Sequence, residues 1–589
     1  MPNINNKILR NISYFIVAFP VLISIVWHIN NRAWPSDDAA NYMTTSYQQY
    51  QVLQGKSFID SIRSLYEIRG WRPILFPILS TPCLWLFNGN ILASAASILI
   101  LSFLIWQIYA YYIARRFLDP IRAALAVSLV GSSTPVASQS LVFFSEIVWL
   151  AFFGGFIFHF LESQEFLSPF HATISGIYLG LSVTIRPAET VAILIFPFSI
   201  FIITAVTHNR IGLKTAISTI LLICSISTLL LSSVFFHAIT YWILLPVGTA
   251  FLVVFLWITT PNDKTEPASR VLKLMAVWSL GINLVWWANS MPALFSWAYV
   301  TSFGSMAKIT TKSEPIFAVL QRVLSYYLNP QWFILVILSC IIFLMSRPKQ
   351  IFLSRSLLSF GVITFTLLFP MLILYGITGT NDLRRVFIGM TFLMLFLSIF
   401  SLQEYKYRLG RDLFIMIILS IQIIDFLWSS RGDPSPLTKL QWVKAGVSFP
   451  KKEKDLNVIL IKKLLALGVH SNSAVAVYTE ALFYAQDRIY EPAALTLAST
   501  ALGANLNIVY FWDIGEYFPV IRRLKSEGVQ YLLIDKYQSP RQEGSYQPSW
   551  QFASSLLNKI ANNKTDPPYL HRISSFSLGG RDQILFRIQ

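Results

Sequence analysis

Two adjacent carboxylates, Asp37 and Asp38, stand in the run Trp34-Pro35-Ser36-Asp37-Asp38-Ala39-Ala40-Asn41-Tyr42. At a membrane surface facing a cavity, such a carboxylate can take a proton from an acceptor hydroxyl or orient it. A neighbouring carboxylate raises the proton affinity of the other. The same pair, followed by Ala-Ala-Asn, also suits a solvated loop start or a helix entry. Glu146 is a lone acid in the apolar run Phe143-Phe144-Ser145-Glu146-Ile147. An acid at membrane depth is costly and marks a functional position, unless it sits at the interface and reaches water. Arginines occur in Arg69-Gly70-Trp71-Arg72-Pro73, in Asn381-Asp382-Leu383-Arg384-Arg385 and in Arg186-Pro187. Arginine makes bidentate contact with phosphate, or anchors a chain among anionic lipid headgroups. Acids and arginines beside a lipid-accessible cavity suit a substrate whose phosphate carries a long lipid. Arginine would neutralise the departing phosphate while a carboxylate activates the attacking hydroxyl.

The elements that must position these residues are membrane spans. The chain has 589 residues, of which 54% are hydrophobic and 13% charged, and its mean hydropathy is +0.56. Soluble proteins carry roughly 25% charged residues. The composition therefore excludes a soluble enzyme, and equally a disordered or collagen-like chain. The net charge of +17 is assigned to cytoplasmic loops that fix topology, and nucleic acid is not expected as a partner. The seven histidines are scattered without metal-ligand spacing, and Cys83, Cys224 and Cys340 form no CxxC pair. A divalent cation is possible as a cofactor, and it would have to rest on Asp37, Asp38 and Glu146. The tryptophans and tyrosines fit belts at the membrane interface.

Lys7 and Arg10 precede an apolar run from about residue 12 to 28, read as an uncleaved span with a cytoplasmic N-terminus. An outer loop, 30–90, follows. It holds the aspartate pair, an amphipathic stretch near 42–53, and the Pro-bearing segment 73–87, too short to cross and read as a surface helix. Further spans are placed near 91–114, 121–140, 145–161, 171–186, 189–207, 213–235, 240–259, 271–287, 331–346, 356–379, 386–402 and 412–429, about thirteen in all. This parity puts Arg115, Arg116 and Arg122 inside. A second outer loop covers 288–330.

The sequence thus divides into a transmembrane domain, 1–429, and an extracytoplasmic tail, 430–589. The tail contains 19 Lys and Arg with 13 Asp and Glu, a nearly soluble balance. Short apolar runs at 474–478, 507–511 and 531–534 alternate with helical patterns, and Gly528 stops a helix over 514–526. A terminal hairpin is expected around Gly579-Gly580. The fold class is therefore an all-α polytopic membrane domain with a small C-terminal α/β domain. No nucleotide is assigned to the tail, which has no GxGxxG and no P-loop.

The order of features resembles the GT-C superfamily of membrane glycosyltransferases, nearest the protein O-mannosyltransferase and lipid A aminoarabinose transferase group. One span is followed by an acidic pair, Asp37-Asp38, then Tyr42, Gly55 and Arg72-Pro73. A span ending in Arg115-Arg116 and a span leading to Glu146 come next. Gly180 to Arg186 and Asp382 to Val386 are similar to two further family segments. The family's His-Pro-Pro is replaced by Trp71-Arg72-Pro73. The resemblance implies an inverting transferase in a bacterial inner membrane. Its donor would be a polyprenyl-phosphate-linked sugar, and its acceptor a hydroxyl of a lipid, glycan or protein on the outer face. It also implies that Asp37 or Asp38 is the catalytic acid: the spacing to Tyr42 favours Asp38, the paired pattern Asp37. Glu146 would join them in shaping the site, and Arg72, Arg186, Arg384 and Arg385 would hold the donor phosphate. The competing reading is a transporter or flippase of lipid-linked glycans. It is disfavoured by the long first loop, the large tail and the lack of half-to-half symmetry.

Overall fold

The basic start and long apolar run at the N-terminus form helix α1 (Pro2–Asn30) in the computed structural model. The structure describes residues 2–35, 37–54, 75–163, 168–186, 316–327, 383–403, 408–431, 455–478, 492–510, 517–535, 569–578 and 581–589, with single helical positions between 332 and 368. In chain order the other helices are α2 (Asp37–Gln54), α3 (Leu75–Leu86), α4 (Ile91–Arg115), α5 (Pro120–Gly131), α6 (Thr134–Leu141), α7 (Ser145–Glu162), α8 (Pro169–Ile185), α9 (Ile316–Tyr327), α10 (Phe387–Ser401), α11 (Arg408–Arg431), α12 (Leu456–Ala466), α13 (Pro492–Ala501) and α14 (Tyr517–Ser526). Strands are β1 (Ala474–Tyr478), β2 (Asn507–Tyr510), β3 (Tyr531–Asp535), β4 (Leu570–Leu578) and β5 (Arg581–Ile588).

The chain divides into two compact units. One is drawn from Met1–Asn30, Lys56–Leu79 and Ala96–Pro450, the other from Asn31–Gly55, Ser80–Ala95 and Lys451–Gln589. Among the described residues, four helical stretches are long and apolar enough to cross a membrane: Lys7–Asn30, Ile91–Arg115, Ser145–Glu162 and Asp412–Arg431. The protein is thus a multi-pass membrane protein. The expected spans 189–207, 213–235, 240–259 and 271–287 lie outside the described residues, as do most of 331–346 and 356–379.

In the first unit α1 packs against α5 and α11, α10 against α5, and α7 against α8. Lipid gives helices no hydrophobic reason to associate, so small and polar residues make the joints. Ser128 Oγ donates to the Ile16 carbonyl at 2.6 Å, and Ser132 Oγ to Gln422 Oε1 at 3.1 Å. A half-buried ion pair adds a charged joint: Arg122 Nε and Nη2 both reach Asp412 Oδ2, at 3.0 and 2.8 Å. Gly154 and Gly155 allow ring faces to lie on the α7 backbone. A Cβ at Gly154 would stand 2.9 Å from Trp106 Cε3, and one at Gly155 2.9 Å from the Tyr178 ring. Rings cannot swing aside as a flexible chain end can. Gly155→Ala is therefore expected to cost about 1–3 kcal/mol through overpacking, seen as a lower midpoint of thermal unfolding in detergent. An unchanged midpoint would show that α7 and α8 can part without loss.

Two expectations are corrected. The span placed at 121–140 is two helices, α5 and α6, broken at Ser132 and Ser133. Ser132 ends the first helix, its backbone N–H donating to Ser128 O, and Pro135 near the start of the second lacks the N–H that a continuous helix needs. The histidines are also not all separate. His159 Nδ1 and His171 Nδ1 lie 2.9 Å apart, with His159 stacked on Tyr178. Consecutive antiparallel helices bring the end of α7 to the start of α8, a proximity that sequence spacing does not show.

The second unit is built on a five-stranded sheet of order β2-β1-β3-β5-β4. β2, β1 and β3 run parallel, and β5 and β4 complete the sheet antiparallel. Alternation sorts the side chains onto two faces. Val475, Val477, Tyr531, Leu533 and Leu585 pack with Leu460, Ile461 and Leu464 of α12 and Leu495 and Ala498 of α13. Ala476, Leu532, Ile534, Ile584 and Phe586 pack with Val520, Ile521 and Leu524 of α14. Gly528 at φ +75° ends the segment after α14, as its position in the sequence indicates. The expected runs at 474–478 and 531–534 are strands, that at 507–511 is a strand over Asn507–Tyr510, and β4 and β5 flank the expected Gly-Gly turn.

The polar stretch after α1 belongs to this unit. α2 packs on α13, and Trp34 packs against the α12 and α13 face of the sheet. Asp455 joins the two segments: Oδ1 caps α12 by accepting from Asn457 N at 2.8 Å, and Oδ2 accepts from Trp34 N at 3.0 Å. Asp455→Ala loses both bonds and is expected to cost about 1–2 kcal/mol, the upper range for a helix cap. The check is thermal unfolding with Asp455→Asn as control, which keeps one acceptor oxygen and is expected to lose less.

Candidate functional site

The candidate site in the membrane unit forms where three chain segments meet. Residues 142–144 run extended between α6 and α7, and Phe144 occupies the N-cap position of α7. Ser145 and Glu146 then open the helix. α8 runs back alongside α7, shown by Ser175 bonding to Phe156 O and by the His159–His171 contact. Its C-cap residue, Arg186, therefore returns to the start of α7. The 3-10 turn Leu383–Val386, ahead of α10, supplies Arg384.

Glu146 is 0% exposed, so it is not an interfacial acid that reaches water. Its Oε1 accepts from Arg186 Nη2 and lies 3.7 Å from Arg384 Nε. Arg186 Nε also donates to Ser145 Oγ at 3.1 Å. The Arg384 guanidinium lies over the Phe144 ring, 4.6 Å from its centroid, a favourable cation–π contact. The helix ends assist: an acid in the first turn of α7 and a cation at the C-cap of α8 both match the helix dipole. Glu146 Oε2 is buried and has no hydrogen-bond partner among the described residues. An unsatisfied buried acceptor of this kind costs about 1–3 kcal/mol, and a hydroxyl or amine donor from a bound molecule would satisfy it. Phe143, just ahead, packs against Phe76 at 4.5 Å between ring centroids.

Of the site residues expected from sequence, Glu146, Arg186 and Arg384 converge here. The aspartates belong to the other unit: Asp37 and Asp38 are the first two residues of α2, where carboxylates favour the positive helix end, and their side chains lie outside the described residues. Arg72 lies outside the described residues, and so does the side chain of Arg385. Ser145 and Phe144 are contributors that sequence reasoning passed over. Both adjoin Glu146 in the chain, and that adjacency was the available signal. No group of three or more His, Cys, Asp or Glu among the described residues could hold a metal ion.

No protein-family model matches the chain, and no curated protein matches it. Solved structures give broad but weak likeness. The archaeal oligosaccharyltransferase AglB from Archaeoglobus fulgidus, in complex with an inhibitory peptide and a dolichol-phosphate, aligns at 12% identity over 89% of this chain and 69% of its own, with a TM-score of 0.46. ArnT from Cupriavidus metallidurans bound to undecaprenyl phosphate aligns at 10% identity over 98% of both chains, with a TM-score of 0.35. At these values the likeness assigns neither family nor activity.

Proposed function

We propose that the protein is an inverting glycosyltransferase. It moves a sugar from a polyprenyl-phosphate carrier to an acceptor hydroxyl on the outer face of the membrane. The observation that carries this reading is the buried Glu146, held on one oxygen by two arginines and left, among the described residues, with an unsatisfied second oxygen in a membrane helix bundle. Arginines held in place by a carboxylate are preorganised for phosphate, and the open Oε2 can accept from a sugar hydroxyl.

In the proposed reaction Asp37 or Asp38 takes the proton of the acceptor hydroxyl as its oxygen attacks the anomeric carbon. The bond from that carbon to the phosphate oxygen breaks, and the electron pair leaves with the polyprenyl phosphate. One displacement from the opposite face inverts the anomeric centre. Arg186 and Arg384 stabilise the negative charge growing on the leaving phosphate, and Arg72 and Arg385 are assigned the same task. A divalent cation, where the reaction uses one, would rest on Asp37, Asp38 and Glu146. The α/β unit, which carries α2, helps bind the acceptor. The N-terminus is cytoplasmic and the α/β unit extracytoplasmic.

The test is incubation of membranes containing the protein with a panel of polyprenyl-phosphate sugars, followed by mass spectrometry of lipid, glycan and protein products. One donor is expected to yield a product heavier by one sugar residue, in proportion to released polyprenyl phosphate. No product from any donor would refute the assignment.

A further inference from the structure

At the opposite end of the membrane unit from Glu146 lies a cavity of about 770 Å³, lined by Lys7, Leu9, Arg10 and Tyr14 of α1, Tyr111, Tyr112 and Arg115 of α4, and Pro120. Its place follows from α7, which runs from Glu146 to Glu162, where Glu162 pairs with Arg116 at 2.9 Å. The volume is that of a small-molecule site.

Three cations face one cavity here, and among the described residues no carboxylate pairs with any of them. Arg115 donates instead to the Leu118 carbonyl. The neighbouring arginines differ: Arg116 is paired with Glu162, and Arg122 with Asp412 and Asp119. A topology signal requires only that basic residues be numerous on one side. It does not require that the unpaired ones surround a hollow while the paired ones lie outside its lining. The rest of the lining is amphipathic. Tyr111 is buried and meets Tyr14 edge to face at 5.8 Å, while Leu9, Tyr14 and Tyr112 are 42%, 45% and 44% exposed. Tyrosine of this kind suits the level of lipid headgroups, where one end is apolar and the other wet.

We propose that this cavity binds the phosphate of an anionic membrane lipid. Lys7, Arg10 and Arg115 surround the phosphate, and Tyr14, Tyr112 and Leu9 lie along the upper part of the chains. The site is separate from the proposed transfer reaction and does not depend on it. The phosphate has two possible sources, a bilayer phospholipid such as phosphatidylglycerol or a polyprenyl monophosphate, and both present the same group.

The experiment is native mass spectrometry of the full-length protein in mild detergent, offered equimolar phosphatidylglycerol, polyprenyl monophosphate and zwitterionic phosphatidylcholine. Wild type is expected to retain one anionic lipid per chain in clear excess over phosphatidylcholine. Each basic residue near a lipid surface contributes about fivefold in affinity, so Lys7→Gln/Arg10→Gln/Arg115→Gln is expected to lower retention of that lipid at least tenfold. Arg116→Gln, a paired cation at the same level, should leave it unchanged. The lipid whose retention falls in the triple variant names the source. Because a triple variant can fail to fold, Arg10→Gln alone is included at its exposed position and is expected to lower retention at least twofold. The proposal is overturned if wild type shows no preference over phosphatidylcholine, if Arg10→Gln and the triple variant retain both anionic lipids fully, or if Arg116→Gln loses as much as the triple variant.

Discussion

Replacing Asp37 and Asp38 together by asparagine is expected to lower sugar transfer by about 10²–10⁴-fold, the range contributed by a positioned general base, with little change in folded yield. Asparagine matches aspartate in shape and still accepts a hydrogen bond, but it takes up no proton. The cost to folding is bounded by the place of the two residues in the first turn of α2. There each lost charge forfeits about 0.3–1 kcal/mol of interaction with the helix dipole. α2 remains held by its packing on α13 and by the Trp34–Asp455 bond. Activity and stability should therefore separate widely. The single variants then identify the base: one is expected to reproduce the full loss and the other only part of it. Transfer that survives the double substitution would remove these acids from the reaction.

The second large effect concerns Glu146 and Arg186. Arg186→Gln removes the contacts to both Glu146 and Ser145 and leaves a fully buried carboxylate with Arg384 alone, at 3.7 Å. Removing one partner of a buried pair costs about 3–5 kcal/mol, so thermal unfolding in detergent should shift far more than for any exposed arginine. Glu146→Gln strands the guanidiniums and is expected to be similarly damaging. The double variant Glu146→Gln/Arg186→Gln is expected to lose less than the sum, by about 0.5–3 kcal/mol of coupling, since neither charge is then left unpaired by the other. Donor binding should follow a different pattern: all three variants raise the KM for the lipid-linked sugar, because the arginine is lost or loses its orientation. Strictly additive stability losses would show that the two side chains do not act as a unit.

The α/β unit was legible in the sequence because its signals are local. Val475 and Val477 alternate with Ala476 across two buried faces, so β1 is a short run of nearly continuous apolar residues, and Gly528 marks a left-handed stop. The break between α5 and α6 was less visible, since an apolar run masks the Ser132-Ser133-Thr134-Pro135 punctuation within it. The special position of Glu146 was legible as an acid out of place in an apolar run, and the structure buries it. Its partners were not, because Arg186 and Arg384 arrive from distant segments through antiparallel packing. The attachment of α2 to the C-terminal sheet unit was beyond reach for the same reason. It is made by the packing of α2 on α13 and by the Trp34 N–H meeting Asp455 across some four hundred residues of chain, and no periodicity encodes that.

The most direct test separates chemistry from movement. Purified protein in sealed vesicles is given a fluorescent polyprenyl-phosphate sugar and an acceptor-containing membrane extract, and both the fate of the sugar bond and the leaflet of the lipid are read. The expected result is stoichiometric release of polyprenyl phosphate with formation of a glycoside of inverted anomeric configuration, abolished by Asp37→Asn/Asp38→Asn. Intact donor appearing in the other leaflet, with no bond broken, would contradict it and identify a carrier.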